Sequence, residues 1–335
     1  MLCVCVAQSG LCAPAKVGSA LALVEALRFH ESTMKLATYR DGSRDGQLVV
    51  VSRDGTRAHY ATGIAETLQH ALDDWNFIGP QLRDLAAQLD HGHARHAFAF
   101  DPAQCAAPLP RAYGGWVAVA ADTVVPWPSD ALWGPQRALP PMPGVADVVP
   151  AIVAICGDIG AQAEAANALE GVRLLALAAL WRWGSGAAGD APERPWGITL
   201  APCALTPDAL GPAWQNGRLH ATLSTTCDGR KLGLIDAAEP VLGLGPSIAQ
   251  AALARGVRAG VWVALGAWSM PRIEGAPTQW PRGFATLAQR RAAECATLGA
   301  PSTPWLMPGS RVYIEARLPD GEMPFGSIDV DWPST

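Results

Sequence analysis

The chain has 335 residues, of which 50% are hydrophobic and 16% charged, and its formal net charge is −5. This composition is typical of a globular protein and excludes a disordered chain, and the length is enough for one large domain or two smaller ones. Lys and Arg never run beyond two in a row, and no window holds about eighteen uninterrupted apolar residues. We therefore expect neither nucleic acid nor membrane as a partner.

Residues 1–33 fit poorly with the rest of the chain, and Met34 would make a natural start. We interpret them as a leader or extended start outside the fold, and no Lys or Arg precedes their apolar run, which makes them a poor secretory signal. The eight cysteines are too sparse for a disulfide scaffold. Those that stand alone are predicted to be buried thiols of a cytoplasmic protein: Cys105, Cys156, Cys203, Cys227 and Cys295.

A small N-terminal domain is predicted over residues 34–100. Residues 47–53 and 57–62 flank the turn Asp54-Gly55 and indicate a β-hairpin. Residues 64–75 and 81–89 carry apolar side chains at three-to-four spacing, which indicates two helices.

A larger domain is predicted over residues 101–335. Its strand candidates are short and punctuated by Gly and Pro: residues 148–155, 218–226, 261–265, 311–317 and 325–330. Two helices are predicted, at 247–254 and 285–298, with Ser247 as a helix cap. Residues 174–183 are apolar on every face, so helix and buried strand both remain open for them. The fold class is α+β and β-rich, with a sandwich or roll as its core.

Several runs resemble one known family in the right order. They are M-K-L-A-T-Y-R-D-G-S-R-D-G-Q-L-V-V-V-S-R-D (34–54), L-D-D-W-N-F-I-G-P-Q-L-R-D-L (72–85), A-P-L-P-R-A-Y (107–113), G-V-R-L-L-A-L-A (171–178), A-P-C-A-L-T-P-D-A-L-G (201–211) and P-S-T-P-W-L-M-P-G-S-R-V-Y-I-E-A-R (301–317). Over residues 34–333 the chain resembles the bacterial branch of the fumarylacetoacetase family. The resemblance implies a mixed β-roll core with a smaller N-terminal domain, and a homodimer.

The resemblance also implies a chemistry, the hydrolysis of a carbon–carbon bond in β-diketo acids, with decarboxylation or isomerisation of similar oxo acids in relatives. Expelling an enolate requires its developing charge to be stabilised, which bound Mg²⁺ or Ca²⁺ can do. The family holds the cation with an upstream Asp, a Glu-x-Glu pair on a strand and a later Asp. A nearby His acts as general base, and a Lys helps to hold the substrate.

The family's metal and catalytic residues are replaced in this sequence. Anchoring on Gly157-Asp158 places Val149 and Ala151 at the Glu-x-Glu pair, and anchoring on Arg173-Leu174-Leu175 places Leu180 at the later Asp. The stretch after Tyr113 holds no His, and its one acid, Asp122, is out of register. We therefore predict no catalytic residue, no metal ligand and no cofactor, because a hard cation without carboxylates cannot offset its lost hydration.

The pocket that remains has two interpretations. One is an aromatic cavity for a small carboxylate or aromatic ligand, with an arginine as the ion-pair partner. The favoured one is that tryptophan side chains fill the volume vacated by metal, water and substrate. The candidate residues are Tyr113, Trp181, Arg182, Trp183, Arg194 (nearest to the family's Lys position), Trp196, Trp268 and Ser269. The separate cluster of His91, His93 and His96 is interpreted as a solvated turn.

Three functions remain open on the sequence alone. The favoured hypothesis is a pseudoenzyme, a binding or partner subunit that forms a homodimer or a heteromer with an active paralogue. The alternative is an active hydrolase, decarboxylase or isomerase on a fumarylacetoacetate-like β-diketo or oxo acid in aromatic catabolism, working without metal. The third is the product of a decaying gene.

Overall fold

The computed structural model describes residues 33–187, 190–273 and 283–334. The predicted leader, residues 1–33, lies outside these described ranges except for Thr33. The described strands, in chain order, are β1 (Lys35–Tyr39), β2 (Gln47–Val51), β3 (Arg57–Tyr60), β4 (Phe98–Ala99), β5 (Gly114–Ala120), β6 (Thr123–Trp127), β7 (Leu132–Trp133), β8 (Val145–Cys156), β9 (Val172–Gly184), β10 (Arg194–Leu205), β11 (Trp214–Gln215), β12 (Arg218–Leu219), β13 (Thr222–Cys227), β14 (Arg230–Asp236), β15 (Val261–Leu265), β16 (Arg311–Arg317) and β17 (Ser327–Asp331).

Helices are fewer and shorter in the described residues. They are α1 (Leu68–Asp73), α2 (Trp75–Asp90), α3 (Ala165–Glu170), α4 (Leu244–Ala251) and α5 (Leu287–Leu298), with 3₁₀ turns at Pro102–Gln104 and Pro207–Ala213. Among these residues, no helix combines the length and the hydropathy needed to cross a membrane.

One large mixed sheet organises the described chain. Its strand order is β4-β3-β2-β1-β10-β9-β8-β15-β5-β6, with β7 attached to β10. The predicted hairpin is confirmed as β2 and β3, which pair antiparallel. Because β1 also pairs with β10, the strands predicted for the N-terminal domain continue the sheet of the rest of the chain.

The centre of this sheet is the antiparallel ladder between β8 and β9. It runs from the pair Val145↔Gly184 to the pair Cys156↔Val172. Residues 174–183, which periodicity alone left open between helix and strand, lie within β9. Both faces of these two strands are buried, which explains why the sequence there is apolar at every position and shows no alternation.

A second sheet, in the order β14-β13-β16-β17, packs against the first, because β16 and β17 both contact β9. The strand predicted at 218–226 is divided into β12 and β13. The two sheets with few helices confirm the predicted α+β, β-rich fold class with a mixed core.

Three local predictions are wrong. The helices predicted at 64–75 and 81–89 are α1 (Leu68–Asp73) and α2 (Trp75–Asp90), so the second helix begins earlier than predicted and contains Pro80. The helix predicted to start at Ser247 begins at Leu244 as α4, so Ser247 lies inside the first turn, where its hydroxyl donates to the Gly243 carbonyl at 2.8 Å. Gly243 is the N-cap residue instead. Among the predicted buried thiols, Cys295 is exposed on α5, whereas the other four are buried.

Helix α5 is attached to β8 through a buried carboxylate. Asp147 accepts hydrogen bonds from the backbone N–H groups of Leu287 (2.9 Å) and Ala288 (3.1 Å), at the helix N-terminus. It also accepts one from Val148 at 2.9 Å. An acceptor at this position satisfies N–H groups that have no partner within the helix, and a negative charge there interacts favourably with the helix dipole.

Burial nevertheless has the largest effect on the pKa of Asp147. Desolvation raises the pKa of Asp147 to about 6, against the opposing effects of the N–H groups of Ala288, Leu287 and Val148 and of the Arg182 guanidinium. The folded protein therefore binds this proton more tightly than the unfolded chain, whose carboxyl has an ordinary pKa of 3.8. Its favourable contribution to stability is present below that ordinary value and is lost as the pH rises to about 6.

We predict that the unfolding free energy of the wild type falls relative to that of Asp147→Asn by about 2–3 kcal/mol as the pH rises from about 4 to about 6. Urea denaturation at several pH values measures this difference. The matched control is Asp84→Asn, which changes an exposed carboxylate on α2. If the Asp147→Asn and wild-type stabilities change in parallel with pH, the carboxyl does not titrate in this range in the folded state.

Candidate functional site

The three positions that the resemblance assigns to metal ligands lie together on one face of the β8–β9 ladder. Val149 and Leu180 are directly opposite each other in the register, and Ala151 is opposite Ala178. Because side chains alternate between the faces of a strand, Val149, Ala151 and Leu180 point to the same side of the sheet. All three are fully buried. We call this set, together with Val117 and Gly266, the β8–β9 patch.

Val117 and Gly266 close the patch, and sequence analysis did not identify their role. A Cβ atom added at Gly266 would lie 2.7 Å from Cγ1 of Val117 and 2.9 Å from Cδ1 of Leu180. The Gly266 N–H donates to the Ala118 carbonyl at 3.1 Å, which holds the glycine beside β5. The space in front of Leu180 is therefore filled by hydrocarbon. Gly266, in the run A-L-G-A-W-S at 264–269, is the signal in the sequence for such a close approach, because glycine has no side chain.

Trp268 covers the neighbouring edge of β8. The ladder between β8 and β15 ends at the pair Ile152↔Leu265. Beyond it, the Trp268 indole N–H donates to the Pro150 carbonyl at 2.8 Å. The Trp268 carbonyl in turn accepts from the Gln289 side chain of α5 at 2.9 Å. Trp268 thus satisfies a strand carbonyl that β15 does not reach, and it links β8 to α5 beside the patch.

Two of the tryptophan candidates lie on the opposite face from the patch. Trp181 follows Leu180 along β9, is fully buried and donates its indole N–H to the Thr199 hydroxyl at 2.9 Å. Trp183 donates to the Pro143 carbonyl at 3.1 Å. Trp181 is typical of a packed core, whereas Trp183 is only partly buried. Because both lie on the opposite face, neither fills volume beside the three positions assigned to metal ligands.

The two arginine candidates have different surroundings: the charge of Arg182 acts on Asp147, and Arg194 contacts Trp183 and Asp190. Arg182 lies opposite Asp147 in the β8–β9 register, on the same face as the patch. Arg194 stacks over the Trp183 ring at 5.5 Å and forms an ion pair with Asp190 at 3.1 Å. Hydrogen bonds from Ser185, and then the Arg194 guanidinium, lower the pKa of Asp190 to about 2.

The remaining candidates lie elsewhere. Trp196 packs against Trp133 and Trp332, with ring centroids 5.7 Å and 5.2 Å away. Tyr113 is 66% exposed, and Ser269 is also exposed. The eight predicted pocket residues are therefore distributed over both faces of the sheet and the surface, because successive residues of β9 point in opposite directions.

The residues of the patch do not fit a hard cation. Mg²⁺, Ca²⁺ and Mn²⁺ take oxygen ligands, mainly carboxylates, and the side chains of the patch have no lone pair to offer. Asp147 shares the face, but its oxygens already accept three backbone hydrogen bonds. Within residues 33–187, 190–273 and 283–334, no group of three or more His, Cys, Asp or Glu side chains could hold a metal ion.

Among the other reactive groups, one histidine of the cluster is hydrogen-bonded and three thiols are buried. In the histidine cluster, His91 contacts the Ala87 carbonyl at 2.7 Å and stacks on His93 at 6.1 Å. Burial raises the pKa of Cys156, Cys203 and Cys227 to about 12. Nucleophilic attack needs a thiolate, so these three thiols are not nucleophiles near neutral pH.

Comparison with known proteins shows which proteins share this architecture. Residues 34–111 match the family model described as "Fumarylacetoacetase N-terminal domain 2". No curated protein matches the chain.

Solved structures share the fold at low sequence identity. Maleylpyruvate hydrolase from Sphingobium sp. SYK-6 is 15% identical, with a TM-score of 0.63 over 90% of this chain and 100% of its own. A structure of that enzyme contains manganese(II) and pyruvate. A probable 2-hydroxyhepta-2,4-diene-1,7-dioate isomerase from Mycobacterium abscessus is 12% identical, with a TM-score of 0.64 over 90% of this chain and 99% of its own.

The fumarylacetoacetate hydrolase from Exiguobacterium antarcticum is 13% identical, with a TM-score of 0.60 over 90% of this chain and 100% of its own. Together with the domain match, these structures confirm the predicted resemblance and the predicted fold. At these identities the likeness to the solved structures extends to the fold alone.

The packing of the patch predicts that Gly266→Ala lowers the unfolding free energy by about 1–3 kcal/mol, because the new methyl group overlaps Val117 and Leu180. In a Leu180→Ala background the same change should cost less, with a coupling of about 0.5–3 kcal/mol in a double-mutant cycle. Gly160→Ala is the control, since its Cβ would meet nothing within 4 Å. Equal costs in both backgrounds would mean that Leu180 does not close the patch.

Proposed function

We propose that this chain, which has a fumarylacetoacetase N-terminal domain and the fold of the solved fumarylacetoacetate hydrolases, has lost metal-dependent carbon–carbon bond hydrolysis and acts as a binding or partner subunit. The observation that carries the proposal is the β8–β9 patch. Its side chains at the three positions assigned to metal ligands are buried hydrocarbons, and the space in front of Leu180 is occupied by Val117 and the Gly266 backbone.

Electrostatics favour the loss of all the metal ligands together over the loss of a single one. A set of carboxylates without its cation is repulsive and costly to bury, so removing one ligand makes the others unfavourable. Apolar replacements at all three positions relieve that cost by about 1–4 kcal/mol, on the precedent of buried ion pairs. The patch is apolar throughout, whereas Asp147, a carboxylate on the same face, accepts hydrogen bonds from N–H groups at the start of α5.

The partner and location are parts of the same proposal. As a homodimer, or as a heteromer with an active paralogue, the folded chain would keep a function after the reaction is lost. Four buried thiols, Cys105, Cys156, Cys203 and Cys227, are compatible with a reducing cytoplasm. A metal-free hydrolase, decarboxylase or isomerase is the competing function. The described residues of the patch contain no cluster of polar side chains to which a metal-free mechanism could be assigned.

The proposal predicts no hydrolysis of maleylpyruvate, fumarylacetoacetate or other acylpyruvates by the full chain, with or without added Mg²⁺ or Mn²⁺. Native mass spectrometry of the same sample would report the oligomer mass and any bound metal. The Sphingobium maleylpyruvate hydrolase assayed in parallel is the positive control. Metal-stimulated turnover would refute the proposal, and turnover that does not change with metal or chelator would establish the competing function.

A restoration experiment tests the patch directly. Val149→Glu should lower the unfolding free energy by about 3–5 kcal/mol, because it buries a charge without a partner. Val149→Met keeps the position apolar and should cost less than about 1.5 kcal/mol. Chemical denaturation with and without Mn²⁺ measures both. If Mn²⁺ stabilises Val149→Glu but not Val149→Met, ligands for a cation remain nearby and the proposed loss is wrong.

A further inference from the structure

A cavity rich in arginine lies away from the β8–β9 patch and is not used by the proposed function. Its volume is about 570 Å³, within the range of small-molecule sites. It forms where the turn after β1 meets the segment before β5 and the segment around β7, and no residue of the patch lines it. Four arginines line it, contributed by all three segments: Arg40, Arg44, Arg111 and Arg137.

Two of these guanidinium groups are held in place by the protein. Arg111 forms a two-point ion pair with Asp45, with its Nε at 2.6 Å from Oδ1 and a terminal nitrogen on Oδ2. Arg40 donates to the Ala103 carbonyl. A guanidinium has five N–H donors, so each of these groups keeps donors that its protein partner does not use.

The other two guanidinium groups have no hydrogen-bond or ion-pair partner in the described part of the chain. Neither Arg44 nor Arg137 makes a side-chain hydrogen bond or a close ion pair there, and both side chains are exposed. The hydrogen bond from Arg111 has the largest effect in lowering the pKa of Asp45, and the charge of Arg44 also contributes. The donors of Arg44 and Arg137 are therefore available to a ligand without breaking an existing hydrogen bond.

The charges around the cavity favour an anion. Among its lining residues the acid is Asp130, and Asp45 lies beside it as the partner of Arg111. Asp41 is a third nearby carboxylate, since it accepts the N–H of the lining residue Ser43 at 2.8 Å. Four positive groups against three carboxylates leave an excess of one positive charge, in a protein whose formal net charge is −5. An anion placed among the four guanidinium groups would be attracted by each of them.

We propose that this cavity binds a small multivalent anion, a metabolite that carries two or more carboxylate or phosphate groups. The fork of a guanidinium matches the oxygen pairs of both groups, so Arg44 and Arg137 would bind them bidentately. Buried Cys105 and Leu132 supply an apolar floor for the carbon skeleton. Ser43 and Ser129 add hydroxyl groups at the wall. This proposed anion site does not depend on whether the β8–β9 patch supports a reaction.

Calorimetric titration of the full chain with citrate, and separately with inorganic pyrophosphate, tests the site at constant ionic strength. We expect saturable binding of at least one of them to the wild type. The double substitution Arg44→Gln/Arg137→Gln should weaken it at least tenfold, because it removes the two free guanidinium groups. Preference for citrate would identify a polycarboxylate ligand, and preference for pyrophosphate a phosphorylated one.

The matched control is Arg255→Gln/Arg258→Gln, which removes the same charge from two exposed arginines outside the cavity. It should change the affinity by less than twofold. Circular dichroism of both double variants should match the wild type, since all four side chains are exposed. Equal weakening by the two double variants, or no saturable binding of either anion to the wild type, would overturn the proposal.

Discussion

The antiparallel ladder between β8 and β9 is the constraint on which the rest of the structure depends. It occupies the middle of the large sheet, it is covered on both faces, and β10 and β15 extend the sheet from its two sides. Every side chain of its central part must therefore be apolar or have its polar atoms satisfied by a partner. The distribution of residues along the two strands reflects this requirement.

Asp147 and Val149 illustrate the two ways in which the ladder meets that requirement. They are two residues apart on β8 and point to the same face, yet one is a carboxylate and the other a hydrocarbon. Asp147 is tolerated because two N–H groups of α5 and one of its own strand point at its oxygens. No such donors reach Val149, which faces Leu180 across the ladder. A carboxylate at Val149 would need a cation, and the apolar side chain removes that need.

The patch and the arginine cavity represent opposite electrostatic situations in one fold. The patch consists of closely packed apolar side chains and a glycine. Its stability depends on how well these residues fit together, as the close approach of Val117 and Leu180 to Gly266 illustrates. The cavity is open, and its arginines come from three segments that are distant in sequence. Under the proposed function, packing has replaced reaction chemistry at the centre of the sheet, while the arginine cavity, beside the end of β1 and β7, binds a charged ligand.

The sequence by itself determined the family resemblance, the β-rich fold class, the hairpin of β2 and β3 and the apolar identity of Val149, Ala151 and Leu180. These features depend on local composition, turn chemistry and the order of motifs, all of which can be read directly from the amino-acid sequence. It could not decide that residues 174–183 form a strand, because an element buried on both faces shows no periodicity. It also placed Ser247 at a helix cap that Gly243 occupies.

Only the tertiary structure decided which side chains meet. It placed Val149 opposite Leu180, brought Val117 and Gly266 against them, and separated Trp181 from Arg182 on opposite faces of one strand. It also gathered Arg40, Arg44, Arg111 and Arg137 around one cavity, and it joined Asp147 to the start of α5 across 140 residues. Strand register and the packing of distant segments set these contacts, and no spacing along the chain encodes them.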